Sequence, residues 1–125
     1  ALSLQLEYRL KTATLSQINT KDPITGHTAL YCAARAGNIK GVKFLTTHGA
    51  EPDLSQRTKS TALHAASFFG HPEVVRCLLE AGADHRIKNG SSTAEDEAFN
   101  NEVKAVFAEM KTVPYVRAAA DEVEW

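Results

Sequence analysis

Three side chains in the middle of the sequence belong to types that bind metals or take part in nucleophilic catalysis: Cys32, His64 and Cys77. Zinc sites need thiolates and imidazoles at characteristic spacings, and these three match no such pattern and include no Cys-x-x-Cys pair. A catalytic histidine needs a paired nucleophile or acid, and His64 has no such neighbour in the sequence. We therefore expect no metal site and no catalytic residue.

The acidic residues near the C-terminal end also carry chemistry that acid–base catalysis uses. They are consecutive or scattered, without a second histidine or cysteine group beside them, which argues against a paired acid and base. No glycine-rich loop that could hold a phosphate is present. We expect a protein that is not an enzyme and binds no cofactor. These acidic residues favour solubility of the chain end instead: Glu95, Asp96, Glu97, Glu102, Asp121, Glu122 and Glu124.

Composition limits the class of protein further. The chain has 125 residues, 43% of them hydrophobic and 23% charged, which suits one compact unit. A formal net charge of −1 gives no support for nucleic-acid binding. No apolar run is long enough to cross a membrane, and no signal peptide is recognisable. The two cysteines are expected to be free, buried thiols in a reducing compartment, so we expect an intracellular, cytoplasmic location. The first residue is Ala1, which suggests a fragment of a longer protein.

An internal repeat determines where Cys32, His64 and Cys77 lie in the fold. The segment "TALYCAARAGN" (28–38) recurs as "TALHAASFFGH" (61–71), at an offset of 33 residues. The same offset relates Leu45 to Leu78 and Gly49 to Gly82. A period of this length is typical of stacked repeat units.

Each unit is predicted to contain two helices. Small residues from Ala62 to Ser67 allow close packing of a first helix, and Gly70 ends it because glycine enters the left-handed region readily. Pro72 suits the first turn of a second helix. Val74, Val75, Leu78 and Leu79 form its apolar stripe.

The motifs "TALHAA", "GHPEVV" and "LLEAGAD" in the second unit resemble the ankyrin repeat. The resemblance implies an all-α solenoid of stacked helix-turn-helix units with projecting β-turn loops, called fingers below. It also implies that His64 hydrogen-bonds backbone or threonine groups and links neighbouring turns. Tyr31 replaces this histidine in the first repeat, so its hydrogen bond must differ.

We expect a single ankyrin-repeat domain over residues 1–125. Its predicted parts are an N-terminal capping half-repeat (1–20), two repeats (21–55 and 56–88), a shortened C-terminal capping repeat (89–112) and a tail (113–125). The leucines at 2, 4, 6, 10 and 15 predict a helix in the first part, and Pro114 would open a short helix that returns Tyr115, Val116 and Trp125 to the stack.

The second helix of the first repeat is expected to be the less stable one. Gly41 stands where the next repeat has Val74, and Thr46 stands where it has Leu79. A glycine inside a helix costs about 1 kcal/mol relative to alanine.

Phe68 and Phe69 are the candidate binding residues. Their counterparts by register are Arg35 and Ala36 in the first repeat and Asn100 and Asn101 in the third. In ankyrin-like stacks these positions border the concave groove where partners bind. The alternative is that one ring packs between helices and contributes to folding instead.

The fingers form a second candidate surface. Arg57 and Lys59 would lie beside Arg86 and Lys88 and, with Arg35, form a basic stripe that favours an acidic peptide. The alternative is that these charges are only solvated loop residues. Lys59 replaces the usual turn glycine and Gln56 the usual aspartate, so the shape of this finger is left open.

Together these features predict a non-catalytic protein–protein interaction module. It would bind another protein or peptide through Phe68, Phe69, Arg35, Arg57 and Lys59, and the three cations favour an acidic partner. Neither nucleic acid nor a membrane is expected as a partner. The chain would be a monomer or part of a larger assembly. The alternative is a structural subunit or scaffold buried in a permanent assembly, favoured by exposed apolar side chains such as Phe44 or those of residues 113–116. An enzyme is the third possibility, and no residue requires it.

Overall fold

The computed structural model describes residues 18–112, with the side chains of the last two residues left aside. Five helices follow one another: α1 (Ala29–Ala36), α2 (Ile39–Thr47), α3 (Ala62–Phe68), α4 (Pro72–Glu80) and α5 (Asn101–Thr112). The first helices of the repeats, α1 and α3, pack side by side, and α2, α4 and α5 form a second layer behind them. Within the described residues there is no strand, and one isolated bridge joins Lys88 to Thr93. The predicted all-α architecture is confirmed.

Local sequence accounts for the helix ends. Thr28 and Thr61 cap α1 and α3, each through a hydroxyl that accepts a hydrogen bond from the backbone N–H three residues later. Pro72 occupies the first turn of α4, as predicted. The residue after the α3 cap, Gly70, has φ +76°, a left-handed conformation that a residue with a Cβ would adopt only with strain.

The core lies between the two helical layers and continues through all the described units. Its largest fully buried apolar side chains are Leu30, Val42, Leu63, Val74, Val75, Leu78, Val103 and Phe107. Alanines of α1 and α3, among them Ala34, Ala62 and Ala66, belong to this core. Because each unit exposes one side of its layers, stacking is what removes these side chains from water.

The third unit differs from the others in its first helix. A single turn at residues 94–97 stands in that place. Thr61 and His71 are ten positions apart, whereas their counterparts Thr93 and Asn100 are only seven apart. The residues missing here account for the lost helix. Asn100 accepts a hydrogen bond from the Val103 amide at 3.1 Å and so begins α5.

This register corrects one of the sequence comparisons. Asn100 precedes α5 as Asn38 precedes α2, and both cap their helices. Asn100 and Asn101 are therefore not the counterparts of Phe68 and Phe69. Positions equivalent to the two phenylalanines are absent from the third unit because the chain is shortened there.

The small number of buried side chains in α2 agrees with the prediction that this helix is less stable. The position of Gly41 does not add to that prediction, because the glycine lies in the first turn. Gly41 is the third residue of α2, in the first turn and not mid-helix, and its amide donates to Asn38 Oδ1. Val42 is the one fully buried residue of α2, whereas α4 buries four. The Thr46 hydroxyl donates back to the Val42 carbonyl at 2.9 Å.

The prediction that both cysteines are buried is wrong for Cys32. Its side chain is exposed on α1, because the buried side of that helix is formed by Leu30, Tyr31 and Ala34. Cys77 is half-buried on α4, and partial burial raises the pKa of its thiol. Both thiols are free.

Two predicted segments lie outside the described residues: the N-terminal leucine-rich helix and the tail with Pro114, Tyr115, Val116 and Trp125. None of the helices between residues 18 and 112 is both long and apolar enough to cross a bilayer.

Candidate functional site

His64 links the second and third units. Its Nδ1 accepts from the Thr61 amide at 3.1 Å, and its Nε2 donates to the Ser92 carbonyl at 3.1 Å. The tautomer with hydrogen on Nε2 satisfies both contacts. The imidazole is buried, so its role here is to join turns, as the resemblance implies. Ser67 adds a second link by donating to the Ala94 carbonyl.

Tyr31 makes the corresponding link between the first two units by different chemistry. Its hydroxyl accepts from the Gln56 side-chain amide at 3.3 Å, and its ring stacks on His27 with centroids 4.4 Å apart. The hydrogen bond therefore differs from that of His64, as expected. The partner is a finger side chain here and a backbone carbonyl in the next unit.

A further link lies at the opposite end of the first helices. His71 Nε2 donates to the Arg35 carbonyl at 3.0 Å. Its ring lies over Gly37, where an added Cβ would come within 2.7 Å of the imidazole. Glycine is required at this position both for its φ of +73° and for this close approach.

Phe68 and Phe69 are both exposed at the C-terminal end of α3. Their exposed fractions are 55% and 44%, and the two rings meet edge to face with centroids 5.1 Å apart. The Arg35 guanidinium lies over the Phe69 ring, 5.3 Å from its centroid. Neither ring is packed in the core, so the alternative of a buried phenylalanine does not hold for the chain as described.

Phe99 is a further exposed phenylalanine beside this pair, and sequence reasoning missed it. Its exposed fraction is 71%, and its ring lies against Gly70, the residue after Phe69. Its amide donates to the Ser67 carbonyl at 3.0 Å, which fixes the backbone on the end of α3. No register argument could place it, because it follows the shortened turn. The signal available was its type, an aromatic in an otherwise polar segment.

The fingers close by similar backbone hydrogen bonds although their lengths differ. The backbone N–H of Asp22 donates to the His27 carbonyl. In the next two fingers the backbone N–H of Gln56 donates to the Ser60 carbonyl, and that of Asn89 donates to the Ser92 carbonyl. Gly26 and Lys59 occupy equivalent turn positions with φ +76° and +71°. Lys59 therefore keeps the left-handed conformation of the glycine that it replaces, at some cost in strain.

The predicted basic stripe is divided between the two opposite ends of the helices. Arg57 lies in a finger, where its guanidinium donates to the Pro23 carbonyl at 3.1 Å. Arg35 lies at the other end of α1, about 10 Å along the helix axis from its capping residue. Arg86 pairs with Asp84 at 3.0 Å, which offsets its charge. Arg35 and the fingers are separate binding candidates.

Hydrogen bonds lower the pKa values of three carboxylates, two in the fingers and their flanking turns and one on α5. Side-chain and backbone N–H groups of Arg86 lower the pKa of Asp84. Backbone N–H groups of Thr25 and Ile24 lower the pKa of Asp22. The Arg76 guanidinium, which joins α4 to α5, lowers the pKa of Glu109. Such shifts favour the ionised forms and suit a structural use.

Within residues 18–112, no three metal-binding side chains lie together in an arrangement that could hold a metal ion. What these residues do present is a set of exposed aromatic rings beside an arginine.

Comparison with known proteins places the chain in a family. Residues 5–89 match the family described as Ankyrin repeats (3 copies), so the chain belongs to the ankyrin repeat family. The ankyrin repeat domain of Bcl-3, a member of the IkappaB protein family, superimposes with a TM-score of 0.72 and 28% identity, covering 78% of this chain and 44% of that one.

Two curated relatives illustrate how varied the parent proteins are. The mitochondrial disaggregase of Bos taurus is 34% identical over 98 residues, which are 75% of this chain and 14% of that protein. Protein phosphatase 1 regulatory subunit 27 of Mus musculus is 31% identical over 80 residues, 64% of this chain and 52% of that protein. The matched part is about half or less of each relative.

Ankyrin repeats generally mediate protein–protein interaction and are typically non-catalytic. The predicted membership of the ankyrin repeat family is confirmed, and binding of a partner by this chain stays a prediction.

Proposed function

We propose that this chain binds a partner protein through the exposed phenylalanines at the end of α3, within the groove side of the repeat stack. The observation that carries the proposal is the pair Phe68 and Phe69, both about half exposed and in mutual contact. Exposed apolar side chains that form one contiguous patch commonly mark a protein–protein interaction site. Aromatic anchors of this kind commonly contribute about 2 kcal/mol or more to a protein interface.

The support for rigid recognition lies in how these rings are held. Phe69 is fixed between Phe68 and the Arg35 guanidinium, and α3 is itself held by the hydrogen bonds of His64 and Ser67 to the third unit. Little order has to be created when a partner binds a preformed surface. This favours affinity without a large conformational change.

The preference for an acidic partner stays a prediction. The cations on which it rests form two separate groups, Arg35 on one side and Arg57 with Lys59 on the other. Within the described residues neither ion pair involves Arg35, Arg57 or Lys59. Arg35 borders the phenylalanines, whereas Arg57 and Lys59 lie in a finger. A partner long enough to cross α1 and α3 would meet both groups of cations. An intracellular, cytoplasmic location likewise remains our prediction.

Quantitative capture from cell extract tests the proposal. The parent chain is compared with Phe68→Glu/Phe69→Glu and with Phe44→Glu, a matched control because Phe44 is 51% exposed on α2. Circular dichroism first establishes that all three melt alike. We expect the double variant to lose proteins that the parent and the control both retain. Equal capture by all three chains would refute the phenylalanines as the binding site.

Phe44 supports a second candidate function, a structural subunit buried in a permanent assembly. Its ring is half exposed on the outer layer and stacks on His48 with centroids 4.0 Å apart. An assembly that covers the outer layer would be lost in Phe44→Glu and retained in Phe68→Glu/Phe69→Glu. The same capture experiment therefore separates the two functions.

A further inference from the structure

One surface draws a residue or a pair from each of three consecutive units. Arg35 comes from the first, Phe68 and Phe69 from the second, and Phe99 from the third; we call these four residues the ring surface. The Arg35 guanidinium lies on Phe69, and the Phe99 ring lies on Gly70, the next residue in the chain. The ring surface thus runs along the stack at the end of the helices opposite the fingers.

The rings of this surface are held in place on both sides. A methyl group added at Gly70 would lie 2.9 Å from Phe99 Cδ1, so the ring is in close contact with the backbone. The Phe99 amide hydrogen bond to Ser67 fixes the segment that carries it. On the other side, the hydrogen bond from His71 to the Arg35 carbonyl fixes the end of α1 below the guanidinium.

The size of this surface suits a peptide better than a second copy of the chain. With about 200 Å² per phenylalanine, the exposed fractions correspond to roughly 340 Å² of exposed phenylalanine area. A stable dimer buries about 600 Å² or more on each partner. A short segment with one or two apolar side chains covers the three rings without needing further contact.

The positive charge of Arg35, at one border of the ring surface, favours a partner that carries a carboxylate. Arg35 is exposed, its guanidinium is held over Phe69, and no described carboxylate forms an ion pair with it. A guanidinium retains N–H donors at its edge while its face contacts a ring, and these donors match a carboxylate in geometry.

Resting on the function proposed above, we propose that the ring surface binds a short peptide segment of a partner protein by two-point recognition. An apolar side chain of the segment lies on Phe68, Phe69 and Phe99, and a neighbouring Asp or Glu pairs with Arg35. The order along the stack fixes the direction of the segment, with its acidic residue toward the first unit.

Selection from a phage library of random twelve-residue peptides tests this proposal. The library is selected on the parent chain, on Arg35→Glu and on Lys43→Glu, the last a control in which an exposed cation of α2 is reversed. We expect the parent and the control to enrich peptides in which an apolar residue lies close to Asp or Glu. On Arg35→Glu the acidic residue should be replaced by Lys or Arg.

Binding of the most enriched parental peptide is then measured by fluorescence anisotropy. Arg35→Glu should weaken binding about tenfold or more, and Phe99→Ala and Phe99→Leu should both weaken it, the leucine variant less. Peptides that depend on Phe68 and Phe69 but are indifferent to Arg35→Glu would overturn two-point recognition and leave the proposed function standing. Peptides indifferent to Phe68→Glu/Phe69→Glu would overturn both.

Sedimentation velocity tests whether a second copy of the chain, and not a peptide, covers the ring surface. The parent chain should remain monomeric at concentrations where the peptide binds. Concentration-dependent association that Phe99→Ala abolishes would show that a second copy covers the ring surface, and the peptide proposal would fail.

Discussion

The Nε2 atom of His64 lies 3.1 Å from the carbonyl oxygen of Ser92, so one buried imidazole joins α3 to the turn of the following unit. The same ring accepts a hydrogen bond from the amide of Thr61, the residue that caps α3. The His64 side chain therefore supports the helix cap formed by Thr61 and also links the two units, to which Ser67 adds a second link. This arrangement fixes the N-terminal end of α3, whereas the phenylalanines project from its C-terminal end, where the Ser67 carbonyl accepts a hydrogen bond from the Phe99 amide.

Replacement of His64 by alanine should destabilise the chain by about 2 kcal/mol or more, because it removes both hydrogen bonds and leaves a buried space. Tyr31→Phe removes only the weaker link to Gln56 and should cost about 0.5 to 1 kcal/mol. Urea unfolding of the two variants checks the order. Equal losses would contradict the structural role assigned to His64.

Gly70→Ala should destabilise more than Gly49→Ala. Both residues have positive φ, which costs alanine about 1 kcal/mol, but an added Cβ meets Phe99 only at Gly70 and nothing within 4 Å at Gly49. We expect the additional loss at Gly70 to be about 1 kcal/mol or more. Adding Phe99→Ala to Gly70→Ala should recover part of it, as thermal unfolding would show.

The charge of Asp22 should matter for stability at neutral pH and not in acid. Hydrogen bonds from the Thr25 and Ile24 amides lower the pKa of Asp22 below its usual 3.8. Asp22 therefore binds a proton more readily in the unfolded chain than in the folded one. Its contribution to the free energy of unfolding is present above the unfolded pKa and is lost as pH falls through the folded pKa. Urea midpoints of the parent and Asp22→Asn should differ at pH 7 and converge below pH 3.8. A constant difference would contradict this.

Amide exchange in α2 should be faster than in α4. Val42 is the one fully buried side chain of α2, while Val74, Val75, Leu78 and Leu79 are buried in α4. Fewer buried contacts lower the free energy of local opening. Native-state hydrogen exchange measures this, and better protection of residues 43–47 than of residues 76–80 would contradict the assignment.

Much of the fold could be predicted because the repeat offset of 33 residues relates one unit to the next. It placed the glycines that follow the helices, such as Gly37 and Gly70, and it singled out Phe68 and Phe69 as residues that stacking does not require. The offset fails in the third unit, where residues are missing and the first helix is reduced to a turn. Phe99 could not be placed for that reason.

The exposure of Cys32 shows a different limit. By register it corresponds to Ala65, which is buried, yet the thiol of Cys32 faces solvent. Register gives the direction of a side chain within its own unit, whereas burial also depends on what the neighbouring unit places over it. The separation of Arg35 from the fingers has another origin, since Arg35 lies in the last turn of α1 and the finger precedes its first turn.

The most direct test of the central claim is photo-cross-linking from single positions. The photoreactive amino acid p-benzoylphenylalanine is introduced at Phe69 and, in a second chain, at Phe44, and each chain is irradiated in cell extract. We predict cross-linked partner protein from Phe69, at most weak products from Phe44, and loss of the Phe69 products when an enriched peptide is added in excess. Partner cross-links from Phe44 alone would contradict binding through the phenylalanines at the end of α3.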